Sequence, residues 1–308
     1  MEEKVIDMPI VAQKPTGLLP QAVFTIAAEA RVWKGLLGAL GAIRNEVKLE
    51  IGNNEMTCAA VDPAHVMMVN MKLDKQMFTN WDVHDTGPIG INVKRMLETI
   101  KHTRDDEQIA ITTIKNPQRK LREGKDYSLD LQIDTADITR YRTLEDITGI
   151  TQPKVPNLNL RFSAKIDYRK LQRTMNLLNA DFELVDHITI RGDMNQLDLM
   201  MLEHDFRDEK AFLYSTKTFY GGKDCVIEIT QEDIHKLPIT ESRSLYPMDY
   251  MMDILGKGQL TPHKLGNGKN PLFETVTFEF GSDYPLRITM HGANMKLMYL
   301  MAPRIENE

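Results

Sequence analysis

Six side chains between positions 181 and 205 are of types that could do chemistry: Asp181, Glu183, Asp186, His187 and the adjacent pair His204-Asp205. Carboxylates and histidines in such a cluster could hold a divalent ion, polarise a phosphoryl oxygen and activate water, the work of a metal-dependent phosphodiesterase. The motifs that usually accompany such work are missing. The chain has no Gly-rich phosphate loop, no His-Glu-x-x-His, no Gly-x-Ser-x-Gly and no paired-cysteine motif. The acidic residues also fall around expected turns, where Asp is common for local hydrogen-bonding reasons. A phosphodiesterase is therefore the remote alternative, and no catalytic residue, metal ligand or cofactor is assigned.

A second group of residues is basic. Lys34, Lys94, Arg95, Lys101, Lys170 and Arg173 lie opposite the apolar stripes of three expected helices, with Arg31, Arg44, Arg104 and Arg169 beside them. For any one helix this is an ordinary solvated face. Three such faces in an acidic chain, with a formal net charge of −6, are less ordinary. A conventional DNA-binding domain is basic overall, so either DNA is not the partner or the positive charge is confined to one surface. Lysines and arginines aimed at phosphates give sequence-independent, salt-sensitive binding. No aromatic-rich strand accompanies them, which argues against stacking on single strands.

The elements that must position these residues divide into two sets. At 308 residues the chain is long for one core, and about 150 residues per domain gives two. No apolar run reaches the ~20 residues needed to span a bilayer, and Met1-Glu-Glu-Lys-Val5 does not open a secretory signal. Cys58 and Cys225 are far apart and read as buried thiols of a reducing compartment. Val32, Leu36, Leu40, Ile43 and Val47 predict a helix over 31–47, in which Gly35, Gly38 and Gly41 are tolerable if something packs closely against it. Strands at 48–51, 56–61 and 66–73 follow, then a helix capped by Asn92, and strands at 109–114 and 127–133. Residues 136–156 lose all sustained period and read as a linker. Beyond it the order repeats: a helix capped by Asp167, strands at 187–191, 196–202 and 226–230, a helix over 245–255, and strands at 273–280, 286–290 and 295–301. The expectation is an α+β chain with a loose arm at 1–21, one domain at 22–135, a connecting loop at 136–156 and a second domain at 157–308.

Three stretches carry a resemblance to a known family. They are Ala60-Val-Asp-Pro-Ala-His-Val-Met-Met-Val69, Tyr246-Pro-Met-Asp-Tyr-Met-Met-Asp253 and the closing Leu300-Met-Ala-Pro-Arg-Ile-Glu-Asn-Glu308. In this order they resemble the PCNA family of DNA sliding clamps, in its archaeal branch, over roughly residues 24–308. The resemblance implies two similar clamp domains, each with two helices packed on antiparallel sheets, and three copies closed into a ring whose helices line a hole. It implies a polymerase processivity factor that encircles double-stranded DNA without sequence readout. A subunit of a heteromeric or specialised clamp is the alternative. The compartment it implies is the cytoplasm, at the nucleoid, or the nucleus of a eukaryotic host.

By position, Lys34, Lys101, Arg173 and Lys257 match basic residues that in the family face DNA, while Gly35, Gly41 and Glu98 stand where lysine is common. DNA polymerase, clamp loader, flap nuclease and ligase would dock through short peptides in an apolar pocket. Its residues, by the same resemblance, are Val61, His65, Val66 and Met68, with Ile150, Val155 and Pro156 from the linker and Tyr284, Pro285, Ala302, Pro303 and Ile305 from the C-terminal segment. His65 also has a plain reading as a turn residue. The 19 methionines are mostly core filler, although Met67, Met68, Met295, Met298 and Met301 fall on strands that would frame the pocket. Copies would join through strand edges at about Tyr127–Ile133 and Ala211–Thr216.

Overall fold

A computed structural model describes residues 22–116, 128–145, 150, 153–158, 160–181, 185–205, 210–229, 241–256 and 273–304. The arm at 1–21, Lys257 and Ile305 lie outside them.

The first half runs β1 (Ala22–Glu29), α1 (Ala30–Gly41), β2 (Glu46–Ile51), β3 (Glu55–Val61), β4 (Met67–Asp74), β5 (Asn80–Val83), β6 (Gly87–Asn92), α2 (Val93–Ile100), β7 (Gln108–Asn116), β8 (Ser128–Asp134) and β9 (Thr139–Thr143). The second runs β10 (Phe162–Asp167), α3 (Tyr168–Leu178), β11 (His187–Asp193), β12 (Gln196–Asp205), β13 (Lys210–Tyr220), β14 (Cys225–Ile229), β15 (Glu241–Pro247), α4 (Met248–Leu255), β16 (Thr275–Phe280), β17 (Leu286–Gly292) and β18 (Met295–Met301). Element for element, the second half repeats the first.

The pairing repeats as well. Strand order β5-β1-β7-β8-β9 in one half matches β14-β10-β16-β17-β18 in the other, and β6-β2-β3-β4 matches β15-β11-β12-β13. The halves are fused where β18 pairs antiparallel with β4 along seven residues, from Met295 opposite Leu73 to Met301 opposite Met67. That pairing makes one nine-stranded sheet across the chain. Among the described residues, the matching strands β9 and β13 remain as outer edges.

Alternation places the core. Met67, Val69, Met71 and Leu73 of β4 and Leu297, Tyr299 and Met301 of β18 join the main apolar cluster with the helices, whereas Met68, Met298 and Leu300 form a separate cluster on the other face. Helices α2 and α3 start where side chains cap them: Asn92 accepts from the Arg95 N–H at 3.0 Å and Asp167 from the Lys170 N–H at 2.8 Å.

The structure corrects four expectations. Helix α1 stops at Gly41 rather than 47, because Val47 is buried on β2 and its place in the helical period is coincidental. The face of α1 that carries Gly35 and Gly38 is buried, not solvated, and the Tyr299 hydroxyl donates to the Ala39 carbonyl at 3.2 Å. Residues 136–156 are not all linker, since β9 lies within them and pairs with β8. For the same reason the edge of the first half is β9, with β8 enclosed between β7 and β9.

Candidate binding surfaces

The outer patch is built by three adjacent strands. Register sets Val61 of β3 opposite Met68 of β4, and Met68 opposite Leu300 of β18. Met68, Met298 and Leu300 are buried, with Ala59, Val61 and Leu158 packed against them. Leu158, at the end of the connecting segment, was not among the expected residues. Its carbonyl accepts from the Arg287 guanidinium at 3.4 Å, which holds the segment to β17.

One end of the patch is a turn organised by Asp62, which is only 4% exposed. Its carboxylate accepts from the N–H groups of Ala64 at 3.0 Å and Met67 at 2.6 Å, and from the Tyr250 hydroxyl of α4 at 2.8 Å. Burial, then the Asp62 carboxylate beside it, pushes the Tyr250 phenol up to about 12, so the hydroxyl stays protonated and donates. His65 is exposed at the tip of this turn with φ of +57°, a conformation that costs a non-glycine residue free energy. Its N–H closes the turn on the Asp62 carbonyl at 3.0 Å.

The C-terminal segment then crosses from one half to the other. Ala302 N–H donates to the Val66 carbonyl at 2.8 Å, and Arg304 N–H to the Leu245 carbonyl of β15 at 2.8 Å. The Arg304 side chain reaches Asp186 at 2.5 Å. Asp186 also meets the His187 ring at 3.1 Å. Partial burial opposes ionisation of this carboxyl, but the His187 and Arg304 hydrogen bonds outweigh it and hold it below the usual carboxylate range. Tyr284, 40% exposed, presents its ring to solvent while its carbonyl accepts from the Tyr246 hydroxyl at 2.7 Å. Pro285, Ala302 and Pro303 are half-buried.

Thus Val61, Val66, Met68 and Ala302 are brought together, bordered by the His65 turn, with Pro303 continuing the strap. Val155 and Pro156 are exposed on the connecting segment, and Ile150 is half-buried. Asp62, Tyr250 and the Asp186–Arg304 pair are support that residue spacing alone did not single out. Their partners are 188 and 118 positions apart in the chain.

The basic faces are less free than their pattern suggests. Lys34 is drawn down onto the Thr103 carbonyl at 2.5 Å and the Asp105 carboxylate at 2.8 Å. Arg95 pairs with Glu145 at 3.2 Å, Lys101 with Glu98 at 2.6 Å and Lys170 with Asp224 at 3.5 Å. Lys94, Arg44 and Arg173 are exposed and form no salt bridge with a described residue. Beside α2 opens a cleft of about 420 Å³, lined by Asn45, Asn92, Lys94, Arg95, Glu98 and Arg142.

Among the described residues, no three His, Cys, Asp or Glu side chains come together as a metal site. Asp186 is engaged by Arg304 and His187, Glu183 lies outside the described residues, and His204 and Asp205 occupy the end of β12. Cys58 is a buried thiol whose desolvation pushes it up to about 12, far from a reactive thiolate. No helix among the described residues is long and apolar enough to cross a membrane.

A chain of two repeated α+β domains fused edge to edge, with an apolar patch under a connecting segment, has counterparts among known proteins. Residues 25–122 match the proliferating cell nuclear antigen N-terminal domain. A DNA polymerase sliding clamp of Methanocella arvoryzae is 29% identical, covering 93% of this chain and 100% of its own. One from Natronomonas pharaonis is 27% identical over the same shares. Among solved structures, A. fulgidus PCNA bound to the C-terminal region of FEN-1 shares the fold with a TM-score of 0.67 at 20% identity, covering 92% of this chain and all of that one. PCNA from Thermococcus kodakaraensis gives the same TM-score and identity over 91% of this chain. The first half of the chain thus carries a match to the proliferating cell nuclear antigen N-terminal domain, and along most of its length the chain is similar to archaeal DNA polymerase sliding clamps.

Proposed function

We propose that three copies of this chain close head to tail into a ring that encircles duplex DNA, slides without sequence readout, and tethers replication and repair proteins. The observation that carries this reading is the internal repeat. β18 and β4 are joined within the chain, while their counterparts β9 and β13 are edges at opposite ends of the repeat. Unpaired edges are a hazard in a monomer, and a head-to-tail contact generates a ring when its rotation closes. The names of the archaeal relatives support the clamp role, which is that of a scaffold rather than an enzyme.

Client peptides would seat on the patch of Val61, Val66 and Met68, between the turn of His65, the connecting segment (Ile150, Val155, Pro156) and the C-terminal strap (Tyr284, Pro285, Ala302, Pro303, Ile305). The complex of the A. fulgidus clamp with the C-terminal region of FEN-1 supports a peptide mode of docking, with apolar anchors in the pocket and backbone pairing beside it. A polymerase, clamp loader, flap nuclease and ligase are the proposed clients, at the nucleoid. For DNA, Lys94 and Arg173 are the leading phosphate contacts because both are exposed and neither forms a salt bridge with a described carboxylate. Lys34, Arg95, Lys101, Lys170 and Lys257 are secondary, and Lys34 would first have to leave Asp105.

Loading onto nicked circular DNA tests the whole reading. A ring of about 106 kDa, three times the 35.3 kDa chain, should stay on circular DNA and run off linear DNA of the same length. Equal retention on both would overturn encirclement. Val66→Glu should abolish binding of a flap-nuclease peptide at unchanged ring mass, and unaltered affinity would overturn the pocket.

A further inference from the structure

The turn and the strap that border the patch are both tied to one short helix. Tyr250, the third residue of α4, donates its hydroxyl to the Asp62 carboxylate at 2.8 Å, and the same carboxylate holds the turn through the Met67 N–H at 2.6 Å. Val66, between His65 and Met67, accepts the Ala302 N–H on its carbonyl at 2.8 Å, so the turn holds the strap. Two residues on, the Arg304 N–H reaches the carbonyl of Leu245 in β15, which runs directly into α4. The Arg304 side chain binds the Asp186 carboxylate, and the Asp186 carbonyl accepts from the N–H of Met248, the first residue of α4, at 3.0 Å. These bonds form a closed circuit: α4, Asp62, the turn, the strap, Asp186 and α4 again.

The repeat separates what the fold requires from what belongs to this place. In the first half, Val93 at the start of α2 donates to the Asn45 carbonyl at 2.6 Å, as Met248 does to Asp186. Glu145 N–H donates to the Gly90 carbonyl at 2.9 Å, as Arg304 does to Leu245. The positions match, since Asn45 and Asp186 each directly precede a strand, β2 and β11, and Gly90 and Leu245 each stand three residues before a helix. The backbone bonds are thus common to both halves. The side-chain bonds differ: Arg95, at the place of Tyr250, pairs with Glu145, and Asn45 offers an amide where Asp186 offers a carboxylate. The two side-chain ties to α4 are therefore additions beside the patch rather than requirements of the repeat.

We propose that Tyr250 and Asp186 are positioning residues for client binding, which fix the His65 turn and the 302–304 strap at the spacing a peptide enters. This rests on the pocket reading above. Neither residue belongs to the patch: Tyr250 packs against the main core with α4, whereas Met68, Met298 and Leu300 form the separate cluster on the other face. The turn needs such support, because His65 is held at a φ of +57° that a non-glycine residue adopts at a cost. Tyr250 is the stronger tie, since removing its hydroxyl leaves the buried Asp62 carboxylate one donor short. The Asp186–Arg304 pair is the weaker, because its side chains are 64% and 49% exposed and solvent screens them.

The test is the affinity of the full chain for the flap-nuclease peptide, measured well below the unfolding temperature so that a loss of global stability alone leaves it unchanged. Tyr250→Phe should weaken binding about fivefold, as one lost hydrogen bond lowers the share of chains with the turn in place. Asp186→Arg and Arg304→Asp should each weaken it about threefold at low salt, and the two together should restore it. Light scattering and far-ultraviolet circular dichroism of each variant separate a change at the pocket from dissociation or misfolding. Unchanged affinity in Tyr250→Phe, or a charge-exchanged variant as weak as its single changes, overturns the corresponding tie while Val66→Glu still abolishes binding and the pocket stands. Retained binding in Val66→Glu overturns the pocket and this inference together.

Discussion

Helices α1 and α3 occupy the same place in the two halves, yet one is enclosed and the other half open. Val32, Gly35, Gly38 and Ala39 of α1 are buried, while their counterparts Lys170, Arg173, Asn176 and Leu177 in α3 are exposed or, for Asn176, half-buried. The difference is the neighbour. The fused sheet brings β18 against α1, close enough for the Tyr299 hydroxyl to reach a helix carbonyl, and small residues permit that approach. Nothing among the described residues does this for α3. The strands tell the same story. Met295-Lys-Leu-Met-Tyr-Leu-Met301 is apolar on both faces, and its counterpart region in β9 reads Thr139-Arg-Tyr-Arg-Thr143. A permanent junction can be dry, whereas an edge that meets water before assembly needs polar groups.

The comparison breaks if both ends respond alike to mutation. Tyr299→Ala should cost about 3–5 kcal/mol in chemical unfolding, as other large buried aromatics do. Arg140→Ala should stay within about 1 kcal/mol under conditions where the chain is monomeric. Similar losses at both would erase the distinction between joined and free ends. Next in size, Ala39→Leu, which copies α3 into α1, should cost about 1–3 kcal/mol by overpacking. The reverse change, Leu177→Ala, should fall within about 0.5 kcal/mol in the monomer because its side chain is exposed.

Tyr250→Phe is expected to cost about 1 kcal/mol by removing one hydrogen bond to Asp62. It also sharpens the pH dependence. The phenol sits near 10 in the unfolded chain and is pushed up to about 12 in the folded one. Its stabilisation is therefore fully present below about pH 10 and lost as pH rises through 12. Unfolding midpoints of wild type and Tyr250→Phe should converge across that range, and parallel curves would show that Tyr250 is not the titrating donor.

Much of the fold was legible because local signals agreed. Asn92 and Asp167 announced two helix starts, and the runs 286–290 and 295–301 announced the closing hairpin. β9 was not legible: Arg140, Tyr141 and Arg142 offer no apolar alternation, and the strand is held by its pairing with β8 and by arginine contacts to Thr99. Val47 misled for the opposite reason, since a buried strand residue happened to fall on the helical period. Of the candidate pocket, Val61, Val66 and Met68 rested on the family resemblance. Asp62 and Tyr250 had no signal, because their contact forms only when α4 of the second half meets the turn of the first.

The amino-acid order by itself determined the two-fold succession of helices and strands, the turns between them and the family resemblance, since periodicity, caps and short motifs are local. Only the tertiary structure decided which edges are joined and which are open. Pairing β18 with β4 spans more than two hundred residues, and no local preference distinguishes that partner from any other antiparallel edge. The same pairing buries one face of α1, places Tyr250 against Asp62 and leaves β9 and β13 as the ends of the chain's repeat.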